Sequence, residues 1–248
     1  MGAGTGWCDL TGHCFNVENQ STRSKTLVWF SVSGDMRFLS HRDTMTLWRR
    51  ALVRAQLPVR VSAGFNPQIR LSLPLPRSVG MSTTCDVLLF ELTKPLAPEA
   101  VAAALQAQIP EGIRVETVEQ LAPGAKLQPQ WAQYALLLFD QVDRGDVSRS
   151  IASFCQTERY EVVRAARGRH PRRKIDLRGA VNELKLETNA VILGLNLDAA
   201  GTPRVAEIAE ALKLDMVEDV REVQRRKIVF ADDAEMVAPV GDQKECGQ

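Results

Sequence analysis

Eight arginines and a single acid, Asp43, lie between Arg37 and Thr84 of a 248-residue chain whose formal net charge is only +1. A guanidinium is a fixed cation that offers paired N–H donors to phosphate oxygens, so a local excess of this kind outweighs the near-neutral sum. Arg37, Arg42, Arg49, Arg50 and Arg70 are therefore candidate nucleic-acid-binding residues. The turn Gly64-Phe65-Asn66-Pro67 joins them: Gly64 allows close backbone approach, Phe65 is a large ring where solvation alone favours a polar residue, and Pro67 limits the loop's freedom. Phe65 has two readings, a recognition tip or a plug for the core. A second basic run spans Arg159 to Arg178, where Gly168 and His170-Pro171 keep the backbone irregular. Its candidates are Arg167, Arg169, Arg172, Arg173 and Lys174, which suit phosphates. The alternative is a solvated loop held by Glu158, Glu161 and Asp176.

No catalytic residue is assigned. His41 is the one candidate, as a general base on a ribose 2′-hydroxyl with Arg37 or Arg42 stabilising the developing charge. A histidine bonded to its own helix start is preferred, because no second histidine or carboxylate pair converges on it in sequence. Ser40 and Ser62 lack a nucleophile signature, and neither a Gly-rich phosphate loop nor the three-cysteine pattern of an iron–sulfur site occurs. Cys8, His13 and Cys14 fall short of a four-ligand zinc site. No cofactor and no metal are expected. Five scattered cysteines, no secretory leader and no membrane-length apolar run point to a reduced, cytoplasmic protein away from the membrane.

These residues need a scaffold, and 45% apolar with 25% charged content suffices for one large core or two small ones, of which two is the preferred reading. The reading is α+β, with two tandem ferredoxin-like (split βαβ) units built on antiparallel sheets. Residues 1–25 form a flexible leader, 26–120 the first unit, 121–131 a Pro- and Gly-containing linker, 132–231 the second unit with the basic insertion, and 232–248 a disordered tail. In the first unit, strands are expected over Leu27–Val32, Val59–Val61 with Ile69–Leu75, Asp86–Leu92 and Ile113–Val118. Ser40 and Asp43 cap a helix whose apolar face is Thr44, Met45, Leu47, Trp48, Ala51, Leu52 and Ala55, and whose other side carries Arg42, Arg49, Arg50 and Arg54. A second helix covers Glu99–Gln108. In the second unit, strands are expected over Tyr134–Phe139, Tyr160–Ala165, Ala190–Leu197 and Arg225–Phe230, with helices over Asp146–Gln156 and Val205–Leu212. One sheet face is expected under the helices and the other free for partners.

The words Arg37-Phe38-Leu39-Ser40-His41-Arg42-Asp43, Arg49-Arg50-Ala51-Leu52 through Leu57-Pro58, and Ser62-Ala63-Gly64-Phe65-Asn66-Pro67 resemble the radical-SAM-linked family of unknown function, found fused to or beside B12-binding radical SAM proteins. Lys174-Ile175-Asp176-Leu177-Arg178 is similar to a further family element, and Gly201-Thr202-Pro203-Arg204 resembles its last turn with two residues exchanged. The resemblance covers about residues 25 to 230 and implies a radical SAM enzyme as partner, without implying a reaction. Together with the arginines, the expectation is an accessory protein that binds RNA, either tRNA or rRNA. An endoribonuclease with tandem ferredoxin-like units and a protein-interaction adaptor are the alternatives.

Overall fold

A computed structural model describes residues 7–8, 14–15, 24–63, 65–122, 125, 127–165, 172–197 and 202–231. β1 (Trp7–Cys8) pairs antiparallel with β2 (Cys14–Phe15). The main body begins at β3 (Ser24–Val32), whose central Leu27-Val28-Trp29-Phe30 run is apolar on both faces because both faces are buried. Val28, Phe30 and Val32 point to the helices, and Leu27 and Trp29 to the opposite side.

Helix α1 (His41–Arg54) starts as the capping residues dictate: Ser40 Oγ accepts from the Asp43 amide at 3.2 Å and lies 2.6 Å from the Asp43 carboxylate. Thr44, Trp48, Ala51 and Leu52 recur at helical spacing and are buried. Trp48 meets Phe30 edge-on, with ring centres 4.8 Å apart. The helix stops before Pro58 because Gln56 turns into the left-handed region at φ 52°. Next come β4 (Leu71–Ser72), β5 (Met81–Leu92), α2 (Pro98–Gln106) and β6 (Ile113–Leu121).

The second half runs β7 (Pro129–Leu138), α3 (Arg144–Gln156), β8 (Glu161–Arg164), β9 (Arg173–Asp176), α4 (Leu177–Ala180), β10 (Val181–Glu187), β11 (Ala190–Asn196), α5 (Val205–Ala211) and β12 (Val220–Phe230). Val147 and Phe154 of α3 and Ile208 of α5 pack with Leu136, Leu138, Val191 and Leu193 of the sheet. Among the described residues no helix is long and apolar enough to cross a membrane.

One mostly antiparallel sheet runs through both halves in the order β10-β11-β7-β12-β5-β3-β6, with β4 also on β5. Counted within each half, the strands stand 4-1-3-2 twice: β6-β3-β5-β4 and β12-β7-β11-β10. The halves join because β4 is short. It pairs only with Leu89 and Phe90, so the start of β5 keeps a free edge, and Val223–Arg225 of β12 fill it in parallel against Met81–Thr83. Beyond that junction, Ile228 and Phe230 of β12 cover Leu27, Trp29, Cys85 and Val87.

Three sequence expectations need correction. The helix-free face of the first half is not free for partners: Trp29 there is 1% exposed and meets Phe230 edge-on at 6.0 Å. The segment expected as a strand over Tyr160–Ala165 does form β8, but β8 pairs only with β9 in a separate two-stranded ribbon. Its place in the sheet belongs to β10, which makes a hairpin with β11 and whose outward Glu and Lys residues mask the strand pattern. The expected strand Ile69–Leu75 shrinks to Leu71–Ser72, because Pro74 and Pro76 remove ladder donors.

Candidate nucleic-acid interface

The buried stripe of α1 fixes where its arginines go. Arg42 and Arg49 lie two turns apart, and Arg50 and Arg54 one turn apart, all away from Trp48 and Leu52. Arg42, Arg50, Arg54 and Arg70 are exposed, whereas Arg37 and Arg49 are half-buried. Arg49 is the odd member, since its Nε is enclosed without a hydrogen-bond partner among the described residues. None of these six forms an ion pair among the described residues. The arginines of this stretch that do are Arg60, with Glu91 at 2.8 Å, and Arg77, with Asp86 at 3.2 Å.

Just before α1, a 3-10 turn (Gly34–Phe38) carries Arg37 over the Phe38 ring at 4.8 Å. Phe38 itself is 54% exposed. Gly80, at φ 86°, donates to the Arg37 carbonyl at 2.9 Å and so ties this turn to the start of β5.

The Phe65 tip is built by a narrow hairpin. Ser62 N–H donates to the Gln68 carbonyl at 2.8 Å, Gln68 N–H donates to Ser62 Oγ at 3.0 Å, and Gln68 Nε2 donates to Asn66 Oδ1 at 3.1 Å. Arg70 N–H reaches the Arg60 carbonyl at 3.0 Å, and Arg60 N–H reaches the Glu91 carbonyl, anchoring the hairpin to β5. Phe65 is fully exposed, which removes the core-plug reading, and Asn66 and Pro67 are exposed beside it. Gly64 lies outside the described residues.

In the basic insertion, Arg167 and Arg169 also lie outside the described residues. Arg172 and Arg173 are exposed, and Lys174 is exposed with Glu161 at 3.1 Å. Arg159 pairs with Glu161 at 2.8 Å. Arg164 grips Glu207 of α5 with two hydrogen bonds of 2.6 Å, so it fastens the ribbon to the helix layer. Burial opposes ionisation of Glu207, but the Arg164 hydrogen bonds and the Arg204 amide hold its carboxyl below the usual range. This insertion is thus partly a self-neutralising structure, unlike the face of α1.

His41 is exposed in the first turn of α1. Cys85 is buried, and burial pushes its thiol up to about 12, so it stays protonated and unreactive. The deepest charges sit at the seam: Arg225 Nε is 3.2 Å from Asp86 Oδ1, its Nη2 bonds the same oxygen, and Arg77 Nε reaches Asp86 Oδ2.

Two features of the site escaped sequence reasoning. Arg54 donates through Nη2 to the Gln108 carbonyl and binds the end of α1 to the turn after α2. Between these elements lies a groove of about 760 Å³, lined by Asp43, Thr46, Leu47 and Arg50 of α1 and by Ile109 and Pro110. The Arg-rich spacing on α1 pointed toward this region, but its opposite wall, about fifty residues later in the chain, carries no motif.

No curated protein matches this chain. The model of the family described as "Uncharacterized protein conserved in bacteria (DUF2344)" matches residues 25–222, from β3 to the start of β12 and so across both halves of the sheet. By that match the chain belongs to this bacterial family.

Proposed function

We propose that the protein is a non-enzymatic accessory protein that binds RNA through the arginine side of α1 and the Phe65 hairpin. The observation that carries this is the contrast in charge pairing. Arg42, Arg50, Arg54 and Arg70 are all exposed without carboxylate partners among the described residues, whereas in the insertion Arg172 and Arg173 are so but Arg159, Arg164 and Lys174 have partners. Unpaired guanidiniums release counterions when they meet phosphate, and that gain needs no base readout. We read each half as a ferredoxin-like unit, a reading supported by the twice-repeated 4-1-3-2 strand order and the two sheet-packed helices in each half. The sheet face that such units use for RNA is buried in the first half, which favours the helix side instead. From the resemblance of the motif words, the working partner is a radical SAM enzyme to which tRNA or rRNA is presented.

The test is fluorescence anisotropy of the full chain with labelled tRNA over a salt series. Replacing Arg42 and Arg50 together by Glu is expected to weaken binding and to reduce the slope of log K against log salt by about two. Unchanged affinity and slope at low salt would overturn the reading, and cleavage of the tRNA by the wild-type protein would replace it with an endoribonuclease.

A further inference from the structure

We infer that the groove between α1 and the turn after α2 is a subsite for one unpaired nucleotide of a single-stranded RNA. The inference rests on the RNA-binding reading above and adds what that RNA must look like. The groove's volume of about 760 Å³ falls in the range typical of small-ligand sites. Its chemistry is divided along its length. Arg50 and Arg54 stand at one end, and Asp43 at the N-terminal end of α1, roughly 10 to 16 Å away along the helix axis. Leu39, Leu47, Ile109 and Pro110 supply apolar surface.

That division orients a nucleotide. A phosphate is attracted to the arginines and repelled by the Asp43 carboxylate. Arg54 is held by the Gln108 carbonyl, so its remaining N–H donors are already aimed, and little side-chain freedom is lost when an anion arrives. One Asp43 oxygen lies 2.6 Å from the Ser40 hydroxyl, and the other is an acceptor for the amino or imino N–H of a base. The apolar surface takes the base, which must therefore be out of a helical stack.

The second half supplies an internal comparison. A groove of about 840 Å³ lies at the corresponding place, between α3 and the end of α5. There Asp143, Asp146 and Asp219 face it with Arg149 and Lys213, and Arg149 is paired with Asp146. Three carboxylates against two cations oppose a phosphate there, whereas one carboxylate against two arginines favours it in the first groove, so similar volume with opposite net charge predicts that only the first groove is occupied.

The experiment compares a short labelled single-stranded oligoribonucleotide with its blunt duplex, using the full chain. The wild-type protein is expected to prefer the single strand by about tenfold, the scale of burying roughly 55 Å² of one base against apolar side chains. Thr46→Trp, which fills the groove, is expected to erase that preference, while Ser150→Trp in the acidic groove leaves it intact. Photo-cross-linking of the wild-type protein to a 4-thiouridine-substituted oligomer tests the same point without a mutation, and the cross-link is expected in residues 39–54 or 107–110. Equal affinity for both RNAs, a Thr46→Trp variant with unchanged preference, or cross-links confined elsewhere would overturn the subsite while leaving the arginine surface standing. If neither RNA binds at low salt, both readings fail.

Discussion

Removing the carboxylate of Asp86 is the sharpest test of how the two halves are held together. Arg77 and Arg225 share this one acid, with side chains 4% and 1% exposed against 7% for Asp86. Arg225 also donates to the Leu75 carbonyl at 2.9 Å, and Arg77 to the Met81 carbonyl at 3.1 Å, so both guanidiniums stay in place when the acid is lost. Asp86→Ala then leaves two buried cations facing each other without compensation. Breaking a single buried pair costs about 3–5 kcal/mol. Here the upper end applies, since each cation loses its partner and gains a repulsive neighbour. Against a total stability of about 5–15 kcal/mol, that is a large fraction. The Arg60–Glu91 pair, with side chains 30% and 22% exposed, is the more solvated control, and Glu91→Gln should cost about 1 kcal/mol.

The assay is urea unfolding followed by tryptophan fluorescence and circular dichroism. Fluorescence follows the tryptophans of both halves, among them Trp29, Trp48 and Trp131, and circular dichroism follows the backbone, so coincident transitions by the two probes mean that the halves unfold as one. We expect Asp86→Ala to lower the midpoint steeply with one shared transition, because the seam strand β12 also covers Trp29. Replacing all three groups, with Asp86→Leu, Arg77→Met and Arg225→Met, should recover much of the loss, as apolar side chains of similar size need no charge partner. A loss below about 1 kcal/mol for Asp86→Ala would refute the view that these charges are desolvated and interdependent.

Two other outcomes follow from the same geometry. Phe65→Ala should leave the melting temperature unchanged, because the ring is fully exposed, yet weaken RNA binding by about 1–3 kcal/mol; a loss of several kcal/mol of stability would mean that the ring is packed after all. Glu207 carries the pH dependence of the ribbon's attachment: its folded pKa lies below the ordinary glutamate value of about 4.3, so its contribution is complete above that value and disappears as pH falls through the folded one. The stability gap between the wild type and Glu207→Gln should therefore narrow on acidification, and a gap that stays constant down to the acid transition would reject the role assigned to Arg164 and Glu207.

Local signals in the chain succeeded where structure depends on neighbours in sequence. Ser40 and Asp43 mark the start of α1, its apolar stripe names Trp48 and Leu52 as core, and the unbroken apolar runs of β3 and β11 mark strands buried on both faces. They failed where the deciding partner is far away. Both Glu161–Arg164 and Val181–Glu187 mix apolar with charged residues, and only the turn at Thr188-Asn189, which folds the latter back onto β11, gives it the place in the sheet. Arg225 sits in a run with Arg221, Arg226 and Lys227 that reads as a solvated face, yet its carboxylate partner stands 139 positions earlier. The hint was on the other side: Asp86, alone within Thr-Cys-Asp-Val-Leu-Leu-Phe, is an acid in a strand that must be buried, and such an acid requires a cation. The arginine face of α1 was legible for the converse reason. Its residues are brought together by one helix, so spacing suffices, whereas the groove beside it needs the end of α2 and emerges only when β3 and β6 close the first half of the sheet.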